Sequence, residues 1–200
     1  MASEEKSELR EHLRNISPDS ASIVDDLWRR SRPIHEKQNT NNSNTENGTI
    51  HVATVEKGIW RFLNCPTLPH KADFLNNPYF ILVLSAAACC HDFGKATDTP
   101  GFQHGEDSAE FIQQNEDKFG LKKHLRLDIQ SLIRVHNDNC GDFYNTVKAY
   151  KTDHAFPGGE INIRLGAVLL KASDILHCDN TRIMSINHCC PVRSQINSTG

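Results

Sequence analysis

An apolar run from Tyr79 to Cys90, interrupted only by Ser85, ends on His91-Asp92-Phe93-Gly94-Lys95. A helix made of that run has no polar stripe to turn towards water, so other elements must surround it on every side. The fold therefore needs a central helix with a shell of amphipathic partners, and the central helix finishes on two side chains able to hold a metal. His91 offers an imidazole nitrogen and Asp92 a carboxylate oxygen. Neighbours on a helix diverge by about 100°, so both reach one ion only where it sits at the helix end or between helices. Partners must then come from distant parts of the chain, which carries His51 before the run, Asp174 after it, and His104 and His136 between.

The shell is legible as helical spacing. Residues 4–15 place Leu9, Leu13 and Ile16 on one face. After Ser17-Pro18-Asp19 a second helix reads through Trp28, with Ile23, Val24, Leu27 and Trp28 apolar and Arg29, Arg30 and Arg32 at its C-terminal end. Residues 36–48 contain no hydrophobic side chain and read as a flexible Asn-rich loop. His51 to Leu63 is amphipathic through Val52, Val55, Ile59 and Phe62. Residues 64–78 carry three prolines and read as a loop. Beyond a turn-rich stretch at 96–101, His104 leads into a helix closed by Gly120. Leu121 to His136 forms another, with Leu125, Ile129, Leu132, Ile133 and His136 in step. Residues 137–160 read mostly as loop, with a short helix around 143–150. Ile161 to His177 closes the set, with Leu165, Val168, Leu169, Ala172 and Leu176 expected on its buried side. No alternating strand pattern emerges, and the fold class is all-α.

Bulk properties narrow the chemistry. Of 200 residues, 38% are hydrophobic and 24% charged, and the net charge is -3. One sizeable core is expected, and no general basic excess suits a nucleic-acid binder. No apolar stretch reaches a membrane-spanning length, and the acidic start lacks a secretory h-region. The seven cysteines include no Cys-x-x-Cys and two adjacent pairs; free thiols in a reducing, cytoplasmic setting are the expectation. No Walker loop, dinucleotide glycine fingerprint or Ser-His-Asp arrangement competes for the chemistry.

A His-Asp dipeptide alone is weak, since with 11 histidines chance supplies about one. The ordered set of His51, then His91-Asp92, then Asp174, each in a helical pattern, resembles the HD superfamily of metal-dependent phosphohydrolases over about residues 48–183. His91-Asp92-Phe93-Gly94-Lys95 is similar to the His-Asp-x-Gly-Lys form of HD-GYP phosphodiesterases and CRISPR-associated HD nucleases. Residues 163–182 resemble the corresponding segment of HD-CE-type domains, often fused to heat-shock-type ATPase modules, although Ser173 and His177-Cys178 depart from that pattern. The resemblance implies a helical HD bundle at 49–183; spacing and composition add an N-terminal helical extension at 1–35, the Asn-rich loop at 36–48 and a tail at 184–200. The resemblance also implies an ATPase-type fusion or partner domain elsewhere.

By that resemblance His51, His91, Asp92 and Asp174 hold a divalent ion, and His104 and His136 hold a second with Asp92 bridging. Nitrogen and hard oxygen donors together suit Mn, Fe, Ni, Co, Zn or Mg without choosing among them. Asp174 lies in an apolar helix, where a carboxylate needs a cation or several donors; a salt bridge to a buried Lys or Arg is the plain alternative. Lys95 is placed to donate to a phosphate oxygen, and Gly94 to allow the tight turn that brings it back over the site. His12, His35, His70, His124, His154, His177 and His188 are expected to be surface or packing residues. The implied reaction is hydrolysis of a nucleotide or other phosphoester by metal-activated water. Alternatives are an HD-type single-strand nuclease and a non-catalytic, metal-bound scaffold domain.

Overall fold

Helix α5, Pro78–Cys90, is the axis of the molecule. The computed structural model describes residues 7–41, 48–96, 104–136, 140–149, 154–156 and 159–176. Every residue of α5 from Tyr79 to Cys90 is buried, as its lack of a polar face demands. Its start is set locally: Pro78 occupies the first turn, and the Asn77 side chain accepts from the Phe80 amide at 3.0 Å.

The shell around α5 comes from the whole length of the chain. Helix α1 (Glu8–Ile16) and helix α2 (Pro18–Asn41) pack on it from the N-terminal side. Helix α3 (Thr49–Leu63) and the short helix α4 (Lys71–Leu75) follow. A 3-10 turn, Phe93–Ala96, closes α5 and meets helix α6 (His104–Gln114). Helices α7 (Glu116–Phe119), α8 (Lys123–Ile133), α9 (Cys140–Ala149) and α10 (Ile163–Leu176) complete the described helices. Leu9, Leu13 and Val24 share one continuous core with α3, α5, α6, α8 and α10, so the N-terminal helices are part of the bundle.

That attachment has a polar pin. Glu56 of α3 is fully buried, pairs with Arg10 Nε of α1 at 3.1 Å and accepts from the Ser85 hydroxyl of α5. Burial pushes its carboxyl up, against the opposing pull of Arg10 and Ser85. Pairing is what makes a buried carboxylate tolerable.

Several sequence expectations need correction. Helix α2 does not stop at Trp28 but continues to Asn41, across Pro33. Ser31, Ile34, His35 and Gln38 are buried along that extension, and tertiary packing outweighs the one amide that proline removes. Arg29 and Arg30 therefore sit mid-helix and pair with Asp26, while Arg32 pairs with Glu36. The first part of the expected Asn-rich loop is helical, and its residues 42–47 lie outside the described ones. The proline-bearing segment contains α4, entered through His70 at φ 56°. The helix expected to end at Gly120 is two, α6 and α7, and Gly120 caps the second at φ 64°. A small antiparallel hairpin is present, β1 (His154–Phe156) with β2 (Gly159–Ile161), pairing His154 with Ile161. Strands of three residues are too short to show a period of two. The fold remains all-α in class.

Helix α10 starts at Ile163, where Asn162 Oδ1 accepts from the Leu165 amide at 2.8 Å. Its buried residues are Ile163, Gly166, Ala167, Leu169, Leu170, Lys171 and Ser173, so Leu169 lies inside as expected. Val168 and Leu176, expected inside, are 42% and 68% exposed. With apolar residues on most sides, this helix offers two candidate stripes, and the one that buries is set by the small residues that let α3 and α8 come close. A Cβ on Gly58 of α3 would lie 2.9 Å from Ser173 Cβ, so these helices touch almost backbone to side chain. Among the described residues no helix is long and apolar enough to cross a membrane.

Candidate metal centre

The end of α5 delivers His91 and Asp92 to the middle of the bundle, and both are buried. The His91 Nδ1–H donates to the Ala88 carbonyl at 2.8 Å. A carbonyl only accepts, so in the neutral ring the proton is on Nδ1 and the lone pair on Nε2. His136, in the turn after α8, is set in the same way by Ile133 O at 2.6 Å. Both rings thus present Nε2 inward as ligand-ready nitrogens, held by main-chain carbonyls of their own helices.

Around Nε2 of His91 the other groups converge. His51 Nε2, from the first turn of α3, lies 3.0 Å away. It also lies 3.2 Å from Asp174 Oδ1 and 3.2 Å from Asp92 Oδ2. On the other side of the same carboxylate, Asp92 Oδ1 is 3.4 Å from His104 Nε2 and 3.5 Å from His136 Nε2. All six side chains expected from the sequence are brought together. His51, His91 and Asp174 form one group able to hold a metal ion, and His91, Asp92 and His136 another. Asp92 faces both ways, one oxygen to each histidine set.

The donor chemistry fits a cation. Asp92 Oδ1, Asp174 Oδ1 and His136 Nε2 are buried and have no hydrogen-bond partner among the described residues. Buried lone pairs aimed at one another are costly unless something positive sits between them. Burial opposes charge on Asp92 and Asp174, yet the neighbouring histidines, with Lys95 beside Asp92, hold both carboxyls well below the usual range. Burial lowers His91, and burial with His136 lowers His104 to about 3. Two ionised carboxylates and neutral imidazoles are the states that metal ligation requires. His51 goes the other way: burial opposes its charge, but Asp174 and Asp92 raise it. A proton and a metal ion compete for that nitrogen.

Lys95 returns to the site through the 3-10 turn, its amide bonded to Asp92 O at 2.9 Å. Its Nζ lies 2.6 Å from Asp92 Oδ2. Gly94 allows this by close approach, not by a left-handed backbone: its φ is not positive, whereas a Cβ there would sit 2.6 Å from His104 O. The Gly94 amide donates to Ser108 Oγ at 2.8 Å, and that hydroxyl lies 2.7 Å from His91 O and 2.6 Å from His104 O. Ser108 thus bolts α6 to the turn that carries His91 and Asp92.

Three supporting residues escaped the sequence reading. Gln38 of α2 donates to the Asp92 carbonyl at 2.5 Å. Lys171 of α10 is buried and donates to the His136 carbonyl at 2.7 Å. Ser108 is the third. None has a spacing signal; Gln38 sits in a polar stretch whose composition suggests a loop. His35 is the expected packing residue, buried against Phe93 with Nε2 3.8 Å from Cys89 Sγ. His177 and His188, like residues 97–101 of the turn-rich stretch, lie outside the described residues.

Comparison with known proteins adds one finding. The family model for the HD domain matches residues 71–179, more than half of the chain. That span takes in His91, Asp92, His104, His136 and Asp174 and leaves His51 outside it. No curated protein and no solved structure matches.

Proposed function

The chain belongs to the HD-domain family, and we propose that it is a metal-dependent phosphohydrolase or phosphodiesterase acting on a nucleotide or other phosphoester. The observation that carries this reading is the position of Asp92, whose two oxygens face separate sets of histidine nitrogens, with no hydrogen-bond partner for Oδ1 among the described residues. His51, His91, Asp92 and Asp174 would hold one ion, and His104 and His136 a second with Asp92 between them. Mn, Fe, Ni, Co, Zn and Mg all suit such donors. A divalent ion there supplies Lewis acidity towards a phosphoryl oxygen and acidifies water.

The protein's own groups do the rest. Asp174 and His104 side chains are 18% and 20% exposed, while His51, His91 and His136 are closed off. The open edge of the site therefore runs past Asp174 and His104. The Lys95 side chain, 19% exposed beside Asp92, is placed to swing its ammonium from that carboxylate to a phosphoryl oxygen as charge builds there. Buried Phe93 and Ala96 keep water from the side of the turn.

The test is elemental analysis of protein purified without chelator, paired with hydrolysis of bis-p-nitrophenyl phosphate. One or two ions per chain and turnover abolished by chelation are expected; absence of both overturns the reading, and metal without turnover leaves a scaffold role. Chelation should also lower the melting temperature. A ligand present at 100 times its Kd stabilises by about 2.7 kcal/mol, which corresponds to roughly 5–10 °C for a chain this size. Lys95→Ala should leave the metal content intact and reduce kcat about 10²-fold. Loss of metal in that variant would instead make Lys95 a positioning residue for Asp92.

A further inference from the structure

We propose that the groove between α3 and α10 is a second binding site, for a small phosphate monoester. It lies roughly one to three turns beyond His51 along α3 and encloses about 250 Å³. The site stands independently of the reaction proposed above.

Its floor is polar and unsatisfied. At its floor Ser173, 2% exposed, packs against Gly58, where a Cβ would lie 2.9 Å from Ser173 Cβ. Ser173 Oγ has no hydrogen-bond partner among the described residues. A buried hydroxyl in that state is uncommon in a folded protein and marks a place where something polar belongs. Thr54 also lines the groove, its hydroxyl donating to the Ile50 carbonyl at 2.9 Å.

Its walls are cationic. Lys57 and Arg61 line the groove four residues apart on α3, so they are neighbours on one helical face. Both are exposed, and among the described residues neither has an acidic partner, whereas Arg14, Arg29, Arg30 and Arg32 each pair with an Asp or Glu. Like charges at this spacing repel, and a shared anion relieves the repulsion. A guanidinium fork and an ammonium, with the unpartnered Ser173 hydroxyl beneath them, form a donor set suited to tetrahedral phosphate oxygens.

The groove also has an apolar edge. Phe62 and Leu176 line it, and Leu176 is 68% exposed. A bare inorganic anion leaves that edge in water, while a phosphate carrying a short aryl or alkyl group covers it. The volume is at the small end for ligand sites, room for a ring and a phosphate but less than drug-sized pockets offer.

Phenylphosphonate, which cannot be hydrolysed at a P–O ester, is the probe. It is titrated into the full chain as purified, by calorimetry, beside inorganic phosphate. Wild-type protein should bind it several-fold more tightly than inorganic phosphate. The double variant Lys57→Gln/Arg61→Gln should lose at least about tenfold in affinity with metal content and melting temperature unchanged, so the loss belongs to the groove. Ser173→Ala should cost about threefold. No binding by wild type at millimolar concentration overturns the proposal. So does unaltered affinity in the double variant, or inorganic phosphate binding as tightly as phenylphosphonate.

Discussion

Replacing Asp92 by alanine should reduce bound metal to background and lower phosphodiester hydrolysis by about 10³-fold or more. The expectation follows from how many groups share this carboxylate. Oδ2 lies 3.2 Å from His51 Nε2 and 2.6 Å from Lys95 Nζ, and Oδ1 faces His104 and His136 at 3.4 Å and 3.5 Å. Removing His51, His104 or His136 alone leaves one side of the arrangement intact; removing Asp92 strips an oxygen from both. Asp92→Asn keeps the volume and removes the charge, so it separates packing from ligation. It should fold like wild type, with Gln38 still bonded to the main-chain carbonyl of residue 92, yet bind metal poorly. Elemental analysis and initial rates on both variants decide the matter. Wild-type turnover in Asp92→Ala would refute the role assigned to this residue.

The sequence carried the centre of the structure and lost its periphery, for physical reasons. Helix α5 was legible because an unbroken apolar run admits few placements. His51, His91, Asp92, His104, His136 and Asp174 were legible as residue types in an order, and the bundle brings them within hydrogen-bonding distances of one another. What holds them was not legible. Gln38 lies in a stretch that composition alone assigns to a loop, and its helix persists because Ile34, His35 and Gln38 itself are buried. Of the α10 stripe, Leu165 and Leu169 meet the core as expected, but Val168 and Leu176 do not, because apolar residues lie on several faces and spacing cannot say which face meets Gly58 and Leu132. Gly94 was read as a source of backbone freedom, yet its contribution is the space a side chain would fill.

The family match begins at residue 71, but the site does not. His51 comes from α3, and α3 is fixed by the Arg10–Glu56 pair to α1. Gln38 comes from α2 and holds the main chain of Asp92. The helices before residue 71 therefore supply one candidate ligand, His51, and part of the frame for another, Asp92. A fragment limited to the matched span would lack both.

The second large effect is expected at Gly94. A Cβ there would meet His104 O at 2.6 Å, Asp107 Cβ at 2.7 Å and the Ser108 amide nitrogen at 3.0 Å. Two of these are backbone atoms at the start of α6 and cannot rotate away, so Gly94→Ala must push α6 off the turn. That movement also strains the Gly94 amide bond to Ser108 Oγ and the hydroxyl's contacts with His91 O and His104 O. Overpacking of this kind costs about 1–3 kcal/mol, occasionally more, or roughly 3–10 °C in melting temperature for a chain of this length. Gly166→Ala serves as the control. Its Cβ would meet the end of the Leu132 side chain at 3.0 Å, which can yield, and its stability loss should be smaller. The two should differ more sharply in metal content. His104 rides on α6, whereas His51, His91 and Asp174 come from α3, α5 and α10, so Gly94→Ala should lose the ion on the His104 side and retain the other. A protein that holds two ions as wild type should hold one as Gly94→Ala and two as Gly166→Ala. If Gly94→Ala kept both ions and its full melting temperature, α6 would not be what sets His104 against Asp92, and the two-sided reading of that carboxylate would fall.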